Sequence, residues 1–314
     1  MAAAIALSGR GRPVSSPNPN VGCVIVQEGR VVGRGWTQAG GRPHAEAMAL
    51  AQAGEAACGA TAYVSLEPCA HHSERGPSCA DSLIAAGLAR VVIACTDPDP
   101  RTNGTGAERL RAAGVIVETG VLADDARRAM AGWWTQQSRH RPHVTLKLAT
   151  SLDGCIAMAD GESRWITGEA ARAHGHGERT QANMILVGRG TVGADAPKLD
   201  VRLPGLAARS PERAVLTRGE APAGWTRVAA PDASIAADWL LVEGGAGAAA
   251  AFLAADRVDR LLLYRAPILI GGGKPCLGDI GLSSLDAAHG RWVHVDHRRL
   301  GNDTLDVYER SASH

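Results

Sequence analysis

Three side chains of the kinds that bind zinc occur close to a carboxylate in the first third of the chain. His44 and Glu46 form a His-x-Glu pair, Cys69 follows Pro68, and Cys79 comes ten residues later. One imidazole and two thiolates are typical zinc ligands, and three protein ligands leave a fourth tetrahedral position open for water. Glu46 can then carry protons to and from the reacting groups. The pattern therefore predicts a catalytic zinc site.

The order and placement of these residues favour a catalytic site over simpler interpretations. A lone His-x-Glu pair commonly lies on a solvated helix face, and an isolated buried cysteine is commonly a small apolar core residue. However, His44 and Cys79 are both predicted at helix N-termini, where the helix dipole favours a thiolate. A purely structural zinc site is disfavoured because Glu46 lies beside three ligands rather than four. His71 or His72 could still replace Cys79 as a ligand, although both are better placed to line the substrate side of the loop.

Apolar runs alternate with helical patterns along both halves of the chain, which predicts two α/β units that do not repeat one another. In the first half, the predicted strands cover residues 21–26, 31–36, 61–66, 90–95 and 115–119, and the predicted helices cover 44–53, 79–86 and 106–113. In the second half, the predicted strands cover 144–149, 184–187, 213–216, 239–242, 260–264 and 268–270, and the predicted helices cover 168–181 and 247–255. A polar, basic stretch over 135–142 separates the halves, so we predict domains over residues 1–138 and 143–314.

Composition and charge exclude several classes of protein. The 33 basic and 32 acidic side chains give a formal charge of +1, which lacks the basic surplus that a general nucleic-acid binder needs. The seven cysteines are an odd number scattered along 314 residues and make a poor disulfide framework. The sequence shows neither the apolar core of a signal peptide nor the roughly 20 apolar residues that span a bilayer. We therefore expect a cytoplasmic protein with no nucleic-acid or membrane partner.

A glycine-rich junction in the second half could receive a phosphate group. The predicted strand that ends at residue 242 continues through Glu243, Gly244 and Gly245 into a predicted helix, and free N–H groups at a helix N-terminus bind phosphate. Tight packing of the helix against the strand explains the same glycines equally well. The junction is not the Gly-x-Gly-x-x-Gly fingerprint, and the chain has no P-loop motif. The pattern by itself leaves both interpretations open.

The spacing around the two cysteines narrows the class of enzyme. Nine residues separate Cys69 from Cys79, whereas the general zinc-deaminase signature has two, which counts against a nucleic-acid or free-nucleoside deaminase. With the runs PNPNVGCV (17–24) and LEPCAHH (66–72), the chain up to about residue 120 closely resembles the deaminase half of the bifunctional riboflavin-biosynthesis deaminase/reductase family. The second half resembles the reductase half of that family in the runs LKLATSLDG (146–154), GESRWIT (161–167), VGRGTV (187–192), DAP (195–197), LDVR (199–202) and EGG (243–245).

In the first half, the resemblance implies a cytidine-deaminase-like domain that binds Zn²⁺. The implied zinc ligands are His44, Cys69 and Cys79, and the implied proton carrier is Glu46. Asn20 and His71 are the implied contacts to the pyrimidine or its ribosyl phosphate. The sequence departs from the family in two respects. The loop between the cysteines is one residue longer than expected, and a lysine that would help to hold the substrate is absent. Arg75 is a candidate replacement for that lysine, with a solvated loop charge as the alternative.

In the second half, the resemblance implies a dihydrofolate-reductase-like fold that uses NADPH. The implied NADPH contacts are Ala149, Trp165, Thr191, Asp195, Gly245, Ala246 and Gly247, and the implied substrate contacts are Ser163, Arg179, Leu199, Arg202 and Glu243. Guanidinium groups suit a phosphorylated sugar, which supports the two arginines, although each could instead form a surface ion pair. Trp165 could equally be a core aromatic residue, and Asp195 a turn residue. Within residues 204–237 we assign no cofactor contact.

The resemblance implies two successive reactions on one small molecule. The first domain would hydrolyse the 2-amino group of 2,5-diamino-6-ribosylamino-4(3H)-pyrimidinone 5′-phosphate. The second would use NADPH to reduce the ribosyl group to ribityl, giving 5-amino-6-(5-phosphoribitylamino)uracil. A homodimer or a higher homo-oligomer is also implied. A deaminase whose second domain has lost activity stays open as an alternative.

Overall fold

The computed structural model describes residues 1–71 and 76–311. The chain divides into two units, Met1–His140 and Arg141–His314. Each unit is built on its own main sheet, and the buried apolar residues cluster separately in each. Within the described residues, no helix combines the length and the apolar character needed to cross a membrane.

A five-stranded sheet forms the centre of the first unit. Its strands are β1 (Gly22–Gln27), β2 (Arg30–Trp36), β3 (Thr61–Val64), β4 (Arg90–Ile93) and β5 (Ile116–Thr119). They are arranged in the order β2-β1-β3-β4-β5; β1 is antiparallel to both of its neighbours, whereas β3, β4 and β5 are parallel. The helices are α1 (Ala2–Ser8), α2 (Ala45–Ala53), α3 (Cys79–Ala85), α4 (Thr105–Ala112), α5 (Ala123–Ala129) and α6 (Ala131–Arg139).

Small residues allow α2 to approach β2 closely. A Cβ atom at Gly33 would lie 2.2 Å from the carbonyl oxygen of Ala49, and one at Gly35 would lie 2.0 Å from that of Ala45. Only glycine fits at such a close backbone approach. Ala45 and Ala49 are fully buried in this contact. The N-terminus of α2 is therefore held firmly against the sheet.

The second unit contains an eight-stranded sheet and a short two-stranded one. The strands are β6 (His143–Thr150), β7 (Cys155–Ala157), β8 (Met184–Gly188), β9 (Glu212–Leu216), β10 (Thr226–Val228), β11 (Trp239–Glu243), β12 (Arg260–Arg265), β13 (Lys274–Pro275), β14 (Trp292–Leu300) and β15 (Asp303–Arg310). The large sheet has the order β10-β9-β8-β11-β6-β12-β15-β14. The first six strands are parallel to one another, β15 is antiparallel to β12, and β14 is antiparallel to β15. In the short sheet, β7 pairs with β13. The helices are α7 (Glu169–Arg179), α8 (Arg189–Asp195) and α9 (Ala246–Ala254).

The α/β architecture predicted from the sequence is confirmed in both units, but several elements differ. The strand predicted over residues 268–270 is wrong: Leu269 is 75% exposed, and the N–H of Ile270 donates to the carboxylate of Asp153. This short apolar run pairs with no strand among the described residues. The helices α1, α5 and α6 and the hairpin β14–β15 were not predicted, because many of their residues are polar or small and give no clear apolar period.

Candidate functional site

The three predicted zinc ligands meet where two helices begin beside the loop that follows β3. His44 immediately precedes α2, Cys79 is the first residue of α3, and Cys69 lies in the loop. His44 Nδ1 lies 3.1 Å from Cys79 Sγ and 3.7 Å from Cys69 Sγ. The backbone N–H of Cys79 donates to Cys69 Sγ at 3.3 Å. All three ligand atoms lie within 4.8 Å of one another.

This donor set fits a zinc ion. Ordinary Zn–N and Zn–S bond lengths place neighbouring nitrogen and sulfur ligands about 3.5 Å apart in a tetrahedron, and the two observed distances bracket that value. Hydrogen bonds from Cys79 and His44 lower the pKa of the Cys69 thiol. The same contact with Cys69, together with burial, raises the pKa of Cys79. The protein itself thus favours the thiolate form of Cys69, and zinc binding would favour the thiolate form of Cys79.

The described residues favour Cys79 over His71 as the third ligand. Among residues 1–71 and 76–311, His71 does not belong to the cluster of ligand atoms around His44. His72, the other alternative, lies outside the described residues, as does Arg75.

Substituting Cys79 by Ser is expected to remove about one zinc ion per chain, because a serine hydroxyl replaces the thiolate that zinc prefers. Metal analysis of the purified full-length protein, beside the unaltered protein, measures the loss. Cys58→Ser is the matched control, since Cys58 is an exposed cysteine outside the cluster. Unchanged zinc content in the Cys79 variant would instead assign the third ligand position to His71 or His72.

Glu46 lies in the first turn of α2 and is 3% exposed. Its carboxyl group hydrogen bonds with the thiol of Cys79 and is not itself one of the clustered ligand atoms. Burial raises the pKa of Glu46 to about 6. The predicted proton carrier is therefore beside the metal ligands and shielded from bulk solvent.

The loop that carries Cys69 is fastened by the neighbouring carboxylate of Glu67, which was not singled out from the sequence. Glu67 is buried and accepts hydrogen bonds from the backbone N–H groups of Asp97, Gly104 and Ala107 at 3.2, 2.9 and 3.0 Å. Two of these donors lie at the N-terminus of α4, where a carboxylate is favourable. The signal in the sequence was a glutamate directly before Pro-Cys, but its distant partners could not be inferred from it.

The two residues predicted to contact the deaminase substrate have different surroundings. Asn20 is 2% exposed, and its Nδ2 donates to the backbone oxygens of Ala129 at 3.0 Å and Ser8 at 3.5 Å. These bonds fix the orientation of its amide group. His71 is half-buried, and its buried Nδ1 has no hydrogen-bond partner among the described residues. An imidazole nitrogen in that state is available to a ligand.

All residues predicted to contact NADPH or substrate in the second half border one cavity of about 1020 Å³. The cavity lies at the carboxyl ends of β6, β8 and β11, which is where ligands bind in parallel α/β sheets. The predicted residues that border it are Ala149, Ser163, Trp165, Arg179, Thr191, Asp195, Leu199, Arg202, Glu243, Gly245, Ala246 and Gly247. The structure therefore brings these residues together, and their individual ligands stay predictions.

A buried ion pair forms one wall of this cavity. Arg179 donates from Nε and Nη2 to the two carboxylate oxygens of Glu243 at 2.8 and 2.9 Å, and from Nη1 to the backbone oxygen of Asp200 at 2.8 Å. The side chains of Arg179 and Glu243 are only 14% and 9% exposed. Burial would raise the pKa of Glu243, but Lys147 and Arg179 lower it overall. Glu243 is therefore held ionised at the cavity wall.

Lys147 is a cavity residue that the sequence did not single out. Its Nζ lies 3.9 Å from the nearer carboxylate oxygen of Glu243 and 5.6 Å from the centre of the Tyr264 ring. Both Lys147 and Tyr264 border the cavity. The available signal was the position of Lys147 two residues before Ala149 on the same face of β6.

The glycine junction before α9 borders the same cavity. Gly244 and Gly245 have φ values of +78° and +73°, which favour glycine. A Cβ atom at Gly245 would lie 2.8 Å from Thr191 Oγ1, so that a side chain there would fill the space beside Thr191. Gly245, Ala246 and Gly247, at the start of α9, border the cavity, and N–H groups at a helix N-terminus can bind phosphate.

The remaining predicted cavity residues include exposed side chains. Trp165 is 62% exposed and packs under the guanidinium of Arg172, 4.8 Å from the ring centre, so it is not a core aromatic residue. Asp195 is the last residue of α8 and lies 3.7 Å from the guanidinium of Arg164. Arg202 is 56% exposed and lies 3.5 Å from Asp200. Exposure leaves the guanidinium of Arg202 accessible to a ligand.

Comparisons with known proteins match both units. The family described as "Cytidine and deoxycytidylate deaminase zinc-binding region" matches residues 1–95, and "RibD C-terminal domain" matches residues 142–231 and 234–305. The chain is 50% identical to riboflavin biosynthesis protein RibD of Escherichia coli over 64% of this chain and 55% of that protein. It is 36% identical to RibD of Aquifex aeolicus over 99% of this chain and 97% of that protein.

A solved structure is similar to the chain along nearly its whole length. It is the Thermotoga maritima protein described as a diaminohydroxyphosphoribosylaminopyrimidine deaminase/5-amino-6-(5-phosphoribosylamino)uracil reductase. The two share 31% sequence identity with a TM-score of 0.87, covering 99% of this chain and 97% of that one.

Proposed function

Since the chain belongs to the RibD family of bifunctional riboflavin-biosynthesis deaminase/reductases, we propose that its two units catalyse two successive reactions. The first removes the 2-amino group of 2,5-diamino-6-ribosylamino-4(3H)-pyrimidinone 5′-phosphate by hydrolysis. The second reduces the ribosyl group of the product to ribityl with NADPH. We assign the first reaction to residues 1–138 and the second to residues 143–314.

The observation that supports the first reaction best is the buried carboxyl group of Glu46 beside three converging ligand atoms. Zinc supplies Lewis-acid activation of water when it is bound by His44, Cys69 and Cys79. As the water oxygen bonds to C2, Glu46 accepts one proton of the water and passes it to the amino group, so that the C2–N bond breaks and ammonia leaves. The other water proton ends on a ring nitrogen as the C2=O group forms.

The second reaction is supported by the single cavity that all predicted reductase residues border. Trp165, Thr191 and the glycine junction would hold NADPH, which would supply the hydride when bound. As the hydride reaches C1′, the bond from C1′ to the ring oxygen breaks and that oxygen requires a proton. Lys147 borders the cavity, and we assign its Nζ as the donor of that proton. A carboxylate oxygen of Glu243 lies 3.9 Å from Lys147 Nζ and helps to hold that group at the cavity wall.

Following ammonia and NADPH together tests both reactions. The purified, zinc-assayed protein is given the diaminopyrimidinone ribosyl phosphate without NADPH and then with it. We expect ammonia release in the first step and NADPH oxidation after NADPH is added. Ammonia release without NADPH oxidation, even when the deaminated substrate is supplied directly, would establish a deaminase with an inactive second unit. The absence of both signals from zinc-loaded protein would refute the proposed substrate.

Substituting Arg202 by Ala is expected to raise the KM for the deaminated substrate about 10- to 100-fold, the effect of losing a hydrogen bond to a charged group. We assign the substrate phosphate to Arg202 because the guanidinium of Arg179 is already held by Glu243 and Asp200. The KM for NADPH is expected to change little. Steady-state kinetics with each ligand varied in turn measure both constants, and Arg299→Ala serves as an exposed control on β14. Equal effects on both KM values would contradict the assignment of Arg202 to the substrate phosphate.

We also propose that the protein is cytoplasmic and homo-oligomeric. All seven cysteines are free thiols, and the zinc site requires two of them in reduced form, which favours a reducing compartment. A homodimer or higher assembly is implied by the family resemblance. The proposed reactions involve a small molecule and require no nucleic-acid or membrane partner.

A further inference from the structure

A second group of metal-binding side chains lies on the hairpin β14–β15, in the second unit. His294, His297 and Asp306 each offer one ligand atom, and these atoms lie within 4.8 Å of one another. None of the three residues borders the reductase cavity. The zinc motif and the reductase residues leave this cluster unexplained.

A β-bulge brings the two histidines to one face of the hairpin. In a regular strand, residues three positions apart point to opposite faces. The pairing register shifts between His294 and Asp296, where Val295 is the extra residue, so that His294 is opposite Tyr308 and His297 is opposite Asp306. Bulges of this kind re-aim side chains. The bulge therefore brings two imidazoles close to one carboxylate.

The three ligand atoms lie close together. Asp306 Oδ1 lies 2.8 Å from His297 Nδ1 and 3.3 Å from His294 Nε2. Bond lengths of about 2.0–2.1 Å to zinc separate neighbouring nitrogen and oxygen ligands by roughly 3.3 Å in a tetrahedron. The two observed distances, 2.8 and 3.3 Å, lie at or just below that spacing. The histidine side chains are about half exposed, at 49% and 54%, so a cation can reach them from solvent.

The surroundings of Asp306 hold its carboxylate in position for a metal ion. Arg265 forms an ion pair with Oδ2, the oxygen that does not face the histidines. The Asp306 side chain is only 7% exposed, and the ring of Tyr308 packs 5.1 Å from that of His294. Outer contacts that orient a ligating carboxylate are a regular part of metal sites. Oδ1 is thereby directed toward the two imidazoles.

We propose that His294, His297 and Asp306 form a second, solvent-accessible site for a divalent cation of the zinc type. Two imidazole nitrogens and one carboxylate oxygen suit Zn²⁺, Co²⁺ and Ni²⁺ better than Mg²⁺ or Ca²⁺, which prefer oxygen ligands. Both strands of the hairpin contribute ligands, so a bound ion links β14, the edge strand of the large sheet, to β15. The proposal is independent of the enzymatic function.

Zinc stoichiometry of the full-length, untagged protein tests the site. At equilibrium with excess Zn²⁺, we expect about two ions per chain, and about one in the His294→Ala/His297→Ala variant. His289→Ala, which removes an exposed histidine outside the cluster, is expected to keep both ions. A single ion in the unaltered protein, or two ions retained in the double variant, would overturn the proposal.

Cobalt titration of the metal-free protein assigns each ion to its ligands. Thiolate ligation gives a charge-transfer band in the near ultraviolet, whereas imidazole and carboxylate ligation gives visible bands without it. We expect one equivalent of Co²⁺ to produce the thiolate band and a second to increase only the visible absorbance. The double histidine variant is expected to lose the second step and keep the first. Persistence of the second step in that variant would refute the assignment.

Discussion

Replacing Glu46 by Gln is expected to lower the rate of ammonia release by about 10²–10⁴-fold, the usual contribution of a general acid–base group. Gln has nearly the same shape as Glu and fits the same buried position, but its amide cannot accept and return a proton at neutral pH. The zinc content is expected to stay unchanged because Glu46 is not one of the three clustered ligands. Ammonia assays and metal analysis on the same preparation measure both quantities.

Two controls separate loss of proton transfer from loss of structure. Glu55→Gln alters an exposed glutamate in the short 3-10 helix after α2 and is expected to keep the full deaminase rate. The Glu46 variant itself is expected to oxidise NADPH normally when the deaminated substrate is supplied. A Glu46→Gln protein that releases ammonia at the unaltered rate would remove this residue from the mechanism.

Replacing Arg179 by Met is expected to destabilise the second unit by about 3–5 kcal/mol, because it leaves the buried carboxylate of Glu243 without its main partner. Lys147, at 3.9 Å, cannot replace the bidentate contact. Reductase activity is expected to be lost as well, since the substrate-facing wall depends on this pair. Denaturant unfolding measures the free energy of unfolding, and NADPH oxidation measures the activity. As a control, Arg298→Met breaks an exposed pair with Asp296 and is expected to cost about 0–1 kcal/mol.

A double variant separates the structural role of the pair from its role in the reaction. In Arg179→Met/Glu243→Leu, both charges are replaced by apolar side chains, and such replacements often restore stability. We expect the free energy of unfolding to recover while the reductase activity stays lost. A double variant that recovers activity together with stability would show that the pair has only a structural role.

The zinc ligands could be predicted from sequence because their chemistry restricts both residue type and position. His44 and Cys79 had to be at helix starts and Cys69 had to follow a strand, and all three meet as expected. Glu67 has an equally specific position, but its partners are backbone N–H groups 30 to 40 residues further along the chain. Backbone donors leave no pattern of residue types, so this contact could not be predicted.

In the second unit, the chemistry of the residues was insufficient without the family resemblance. Arg179 and Glu243 are 64 residues apart, and neither belongs to a local pattern that predicts a buried ion pair. The loop at 268–270 has the composition of a strand, yet Leu269 is exposed, because formation of a strand depends on a neighbour with which to pair. The β-bulge at Val295 could not be predicted from the sequence either, because the register of a hairpin is set by pairing as well as by composition.

The contacts of Glu67 have a consequence for how the first unit opens. The Glu67 carboxylate, in the loop that presents Cys69, accepts hydrogen bonds from the first turn of α4. At Gly106 the two segments are so close that a Cβ atom would lie 2.0 Å from the backbone oxygen of Pro68. We expect these two segments to open together and to exchange their amide hydrogens as one cooperative unit. On that expectation, local unfolding of α4, a helix that supplies no ligand, would release the loop that carries Cys69.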